Sequence, residues 1–129
     1  GVLSIAAKAM GADTVYAYDI DEIATRVSKE NIAYNAYASD VIVKENNLLV
    51  GIADQEADII VANILAEILL LLLPDAYKNL KDDGYFILSG IIESKKAELI
   101  AALISNVEIE REKQMKDWVC VICTKNLED

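Results

Sequence analysis

The chain has no histidine, a single proline, two cysteines and five glycines in 129 residues. The missing histidine removes Ser-His-Asp and Cys-His devices, and any His-bearing metal site, from these residues. So few breakers predict long elements and short loops. No apolar run approaches the roughly 20 residues that span a bilayer. The longest, Ile68 to Leu73 with Ile64 to Ala66 ahead of Glu67, stops well short. No signal-peptide pattern is legible, so a cytoplasmic, reducing setting is expected. Basic residues are scarce: 12 Lys and Arg face 22 Asp and Glu, for a net charge of −10. That balance argues against direct nucleic-acid contact through a basic face. It would suit a basic partner, although a solvated acidic surface is the plainer reading.

What is abundant is apolar. Hydrophobic residues make up 54% of the chain, which excludes disorder, and the length suits one domain with a real core. The pattern turns on Thr14 to Asp21, TVYAYDID. A strand over residues 14–18 runs into an acidic pair around Ile20. A small-residue helix, Gly1 to Ala12, precedes it, with Gly11 at its C-terminal cap. A second helix, Asp21 to Ala36, follows, with Ile23, Val27, Ile32 and Tyr34 as its candidate buried positions. Asp21 suits the N-cap and Glu22 the first turn. Asp19 has no such duty. In open α/β sheets, ligands bind at the carboxyl ends of the strands. An acid there accepts two hydrogen bonds from the vicinal hydroxyls of a ribose. Asp19 is therefore the candidate ribose ligand, weighed equally against a turn-forming Asp.

A short strand over residues 41–43 leads to Glu45-Asn46-Asn47. Asn47 is a candidate for an adenine contact, with an ordinary Asn turn the favoured alternative. Residues 48–56 are expected to be irregular. Asp58 to Ala62, DIIVA, reads as the most buried strand and ends on Asn63. A leucine-rich helix up to Lys81 follows, expected to be covered on most sides and to kink or divide at Pro74. Asp82-Asp83-Gly84 reads as a turn, Tyr85 to Ser89 as a strand closed by Gly90, and Ser94 to Ile104 as a helix. That helix is expected to bury Ala97, Leu99 or Ile100, and Leu103. Val107 to Glu112 alternates as an exposed edge strand does. Trp118 to Thr124 is strand-like, and the short link between these two forces an antiparallel hairpin.

Cys120 and Cys123 form a C-x-x-C. Three steps along a strand reverse the face, so a chelate or disulfide is disfavoured and two ordinary thiols are expected. No metal site is expected. Trp118 is expected to close the core rather than to touch a substrate, and the six tyrosines form no readable stacking patch.

GVLSIAAKAMGA, YDID, ENIAYNA, ADIIVANILAEIL, GYFILSGII and DWVCVI, taken together from Gly1 to about Lys125, resemble the ribosomal protein L11 methyltransferase family. VANILAE and LSGI are the most specific pieces. The resemblance implies a doubly wound, Rossmann-like class I methyltransferase sandwich, mainly parallel, with an antiparallel last strand. It implies S-adenosylmethionine as cofactor. Gly1 would be the last glycine of the cofactor loop, Asp19 the ribose ligand, and Asn63 the residue lining cofactor and methyl-transfer pocket. The implied activity is methylation of amino groups, on lysine side chains and the N-terminus, of a large-subunit ribosomal protein. No nucleic acid or membrane partner is expected, and a monomer is. Because a βαβ order opens on a strand and this chain opens on a helix, residues 1–129 are expected to be a catalytic domain lacking its first strand. Asn63 is followed by Ile64, Leu65 and Ala66, not by the prolines and aromatic that stack a planar amide or base, which favours a flexible aliphatic amine. Three readings stay open: this or another class I methyltransferase, a nicotinamide-binding Rossmann domain, and a non-catalytic module with the same fold.

Overall fold

A computed structural model of the chain describes residues 8–9, 11–12, 14–19, 22–34, 41–52, 56–103 and 107–125. The chain divides into two compact units, Gly1–Val50 and Gly51–Asp129.

In the first unit, β1 (Tyr16–Asp19) and β2 (Ile42–Glu45) pair in parallel, from Tyr16 opposite Ile42 to Asp19 opposite Glu45. Helix α1 (Glu22–Ala33) connects them, as a parallel return requires. Ile32 and Val41 form the buried centre, with Val15, Ala17 and Val43 against it. Gly11 caps as expected: its φ is +102° and its N–H donates to the Lys8 carbonyl at 3.1 Å. Most of the expected first helix, and the Asp21 cap, lie outside the described residues. The face of α1 differs from expectation. Ile23, Val27 and Tyr34 are exposed, and Thr25, Ser28 and Ile32 are buried. At about 100° per residue, Ile23, Val27 and Tyr34 share one stripe and Ile32 lies opposite it. The four could never have been buried together, and Ile32 decides which side faces the sheet. The tyrosines also correct the sequence reading. Tyr16 and Tyr18, two apart on one strand face, stack with centroids 6.3 Å apart.

The second unit is a four-stranded sheet in the order β3-β4-β6-β5. Its strands are β3 (Ala57–Asn63), β4 (Leu80–Ile92), β5 (Val107–Met115) and β6 (Trp118–Lys125). β3 and β4 are parallel, and β6 runs antiparallel to both of its neighbours. The antiparallel final strand is therefore as expected, inserted inside the sheet. Helices α2 (Ala66–Asn79) and α3 (Glu93–Leu103) pack on one face. There Phe86, Leu88, Ile91, Val119, Val121 and Cys123 meet Leu69, Leu72, Leu73, Leu99 and Leu103, all buried. Ion pairs Lys96–Glu112 (3.2 Å) and Lys95–Glu67 (3.6 Å) tie α3 to β5 and to α2. Asn79, fully buried, donates to the carbonyls of Ile52 (3.1 Å) and Asp75 (2.8 Å).

Several expectations change here. Pro74 does not divide its helix, because it removes one hydrogen bond while the buried Leu72, Leu73 and Ala76 around it hold the turn. The leucine run is one-sided: Leu71 is 71% exposed. Ala97 is exposed while Leu99 and Leu103 are buried. DIIVA is not the most buried strand. β3 lies at the margin of its sheet, and Ile59 and Val61 stay exposed. Asp82 to Gly84 is absorbed into β4, where two steps on β3 oppose five on β4. Gly84 is needed there, because a Cβ would meet Leu80 Cδ1 at 2.6 Å and the Asp58 carbonyl at 3.0 Å. β5 continues to Met115, leaving a turn of Lys116-Asp117 with Lys116 at φ +55°. Trp118, expected in the core, is 55% exposed.

Candidate functional site at the carboxyl ends of the parallel strands

Each unit ends a pair of parallel strands on polar residues. In the first, Asp19 is the last residue of β1, in register with Glu45 at the end of β2. Asn46 and Asn47 follow at once. Asn46 makes the turn: its Nδ2 donates to the carbonyls of Leu48 (2.8 Å) and Val50 (3.2 Å). Asn47 stands exposed beside it. The two candidate ligands of this unit thus share one end of one parallel pair. The plain turn weighed for Asn47 is present too: its carbonyl accepts from the Val50 N–H at 3.0 Å. Lower on β1, burial and then the neighbouring Tyr16 push the Tyr18 hydroxyl above its usual range. Gly1 lies outside the described residues.

In the second unit, Asn63 is the last residue of β3 and lies opposite Ser89 of β4. It is exposed. The next residue on β4, Gly90, has φ +76° and sits in a bulge against β6, between the pairs Leu88–Val121 and Ile91–Val119. A Cβ built on Gly90 would collide with the Asn63 Oδ1. The missing side chain is what lets the Asn63 amide lie across β4. That amide offers two N–H donors and one carbonyl acceptor, at the place where open α/β sheets bind ligands.

The sequence reading put Asn63 and Asp19 at strand ends, as here, but did not give Gly90 this role. The signal was available: a Ser-Gly pair ending an apolar strand marks a bulge or a close backbone approach. Among the described residues no group of acidic and sulfur ligands could hold a metal ion. Cys120 and Cys123 are both free. They point to opposite faces, and burial, followed by Cys120, pushes the Cys123 thiol up to about 11. No helix among the described residues is long and apolar enough to cross a membrane.

Known proteins are similar to this chain in sequence and in fold. The model of a family described as ribosomal protein L11 methyltransferase matches residues 1–126. A ribosomal protein L11 methyltransferase of Enterococcus faecalis is 49% identical over 130 residues, covering all of this chain and 41% of its own length. The chain thus spans about two fifths of the length of such curated relatives. The crystal structure of a ribosomal protein L11 methylase from Lactobacillus delbrueckii subsp. bulgaricus superimposes with a TM-score of 0.92 at 35% identity. That match covers 98% of this chain and 65% of the other. A SAM-dependent methyltransferase from Methanosarcina mazei shares the fold, with a TM-score of 0.76 at 14% identity over 97% of this chain and 87% of its own.

Proposed function

This chain belongs to the ribosomal protein L11 methyltransferase family, and from that membership we propose that residues 1–129 are part of a catalytic domain that transfers methyl groups from S-adenosylmethionine to amino groups of ribosomal protein L11. The acceptors in this reading are lysine side chains and the N-terminal amine. The observation that carries it is the Asn63 amide laid across Gly90 at the carboxyl end of β3 and β4. The residues present fit a nucleoside. Asp19, ending a parallel strand, offers acceptors for the ribose hydroxyls. Asn47 is exposed at the same end for the adenine. Gly1 is assigned to the cofactor loop.

S-adenosylmethionine, when bound, supplies a methyl group made electrophilic by its sulfonium centre. What the chain must do is present a neutral amine in line with that group, and orientation supplies much of the acceleration. A lysine amine has a pKa near 10.4 in water, so its proton must be shed first. An apolar surround lowers that value by penalising the charged form. The Asn63 carbonyl can accept one N–H of the amine and so fix where its lone pair points. Residues 64–66, Ile-Leu-Ala, provide no aromatic surface for a planar base or amide, which suits a flexible aliphatic acceptor.

The test uses the full-length protein. Titration with S-adenosylhomocysteine should show binding, with NAD giving none, and Asp19→Ala should weaken it by about 1–3 kcal/mol through lost charged hydrogen bonds. Methyl incorporation into L11 should be lost in Asn63→Ala. Unchanged S-adenosylhomocysteine affinity in a folded Asp19→Ala protein would contradict the ribose assignment.

A further inference from the structure

The hairpin of β5 and β6 holds a feature that the reading above leaves unused. A cavity of about 310 Å³ opens between Ser89-Gly90 and the hairpin residues Lys113, Met115, Trp118 and Cys120. Strand pairing builds its wall. Met115 lies opposite Trp118 and Lys113 opposite Cys120, so these four side chains share one face of the sheet. Trp118 is 55% and Met115 78% exposed. Single exposed apolar residues are ordinary. A tryptophan and a methionine paired at the mouth of a cavity this size are not, because cavities of about 300–1,000 Å³ are the range in which small groups bind.

Its position gives it a direction. One wall is Gly90, across which the Asn63 amide lies. The far wall includes Lys113 on β5, with β4 and β6 between it and β3. Lys113 is the one formally charged residue of the lining. A cationic guest is repelled from that wall and drawn toward the Asn63 side. The geometry points to this cavity as the acceptor subsite, in which Trp118 and Met115 grip the hydrocarbon stem of a lysine side chain and leave its amine directed at Asn63. The assignment rests on the amine-methylation reading, and it names residues that reading does not need. The indole face suits an alkylammonium as well as its stem. The unbranched thioether of Met115 adapts to a guest that grows by a methyl group. Trp118 and Met115 then set acceptor specificity, independently of cofactor binding.

Two measurements on the full-length protein decide this. In the first, Trp118→Ala should raise the KM for L11 at least tenfold and leave the Kd for S-adenosylhomocysteine within twofold. Trp118→Phe, which keeps an aromatic face, should restore most of the loss. In the second, Cys120, half-buried in the wall, is labelled with maleimide and read by fragment masses, with the fully buried Cys123 as internal control. A saturating lysine peptide should slow labelling of Cys120 at least fivefold and leave Cys123 unlabelled throughout. A KM within twofold of wild type in Trp118→Ala, or Cys120 labelling indifferent to the peptide, overturns the assignment. A wild-type protein that methylates no amine sinks the proposed function instead, and the labelling result still decides whether the cavity takes a lysine stem.

Discussion

The two faces of β6 carry similar side chains and meet opposite fates. Val119, Val121 and Cys123 are buried beneath α2 and α3. Trp118, Cys120, Ile122 and Thr124 look the other way and are partly or largely exposed. β4 repeats the contrast, with Phe86 and Leu88 inward and Tyr85 48% exposed. Hydrophobicity alone therefore does not say which side of this sheet is the core. Within this unit both helices lie on one face, and the other face is where the cavity opens.

The sharpest way to break that comparison is on β4. Phe86→Ala should cost about 3–5 kcal/mol, by lost transfer energy and the cavity left behind. The adjacent Tyr85→Ala should cost about 1 kcal/mol or less in urea unfolding. Equal losses would mean that the outward face is packed as tightly as the inward one. Next comes a pH test on β6. The buried Cys123 thiol is held up at about 11, above its ordinary 9.0. The unfolded chain therefore sheds this proton before the folded one does. Stability from this residue is fully present below pH 9 and is lost as the pH rises through 11, by roughly 3 kcal/mol at most. Cys123→Ala should flatten that slope, and Cys120→Ala, which removes only the lesser cause, should reduce it slightly. Smaller again is Gly90→Ala, which must hold a side chain at positive φ and push Asn63 aside. We expect about 1–2 kcal/mol of destabilisation, together with a loss of methyl transfer larger than the loss of stability explains. The smallest effect belongs to Lys81, whose ammonium is raised first by its 3.0 Å hydrogen bond to Asp58. Both groups are solvent-exposed, so Lys81→Ala should leave the urea-unfolding midpoint close to that of the unchanged protein.

Much of this was legible in the sequence. The alternation of strands and helices, the hairpin at the end, the Gly11 cap and the opposite facing of the two cysteines all follow from local rules. So does the placement of Asp19, Asn47 and Asn63 at strand ends. The misses share one cause: they depend on what lies across from a residue, which one chain of letters does not contain. DIIVA is as apolar as a central strand, yet Ile59 and Val61 lie at the margin of their sheet. Ile23 and Val27 form a regular stripe, but Ile32 reached the core and turned that stripe outward. Trp118 looked like a core residue because tryptophan is large, whereas its pairing with Met115 places it at the rim of a cavity. The tyrosine stack of β1 could have been found, since alternation along a strand puts Tyr16 and Tyr18 on the same face.

The single added residue at Gly90 also works as a change of parity. Ahead of it the even-numbered Phe86 and Leu88 face the helices. Beyond it the odd-numbered Ile91 does, and Ile92 is 42% exposed. Deleting this one position would restore plain alternation, with Ser89 outward and Ile91 still beneath the helices, because the pairs Ile91–Val119 and Ile92–Trp118 keep their register. A relative that lacks a residue here could therefore keep every side chain downstream on the strand, so that a one-letter gap in an alignment would mark a lost bulge and not a rebuilt edge of the sheet.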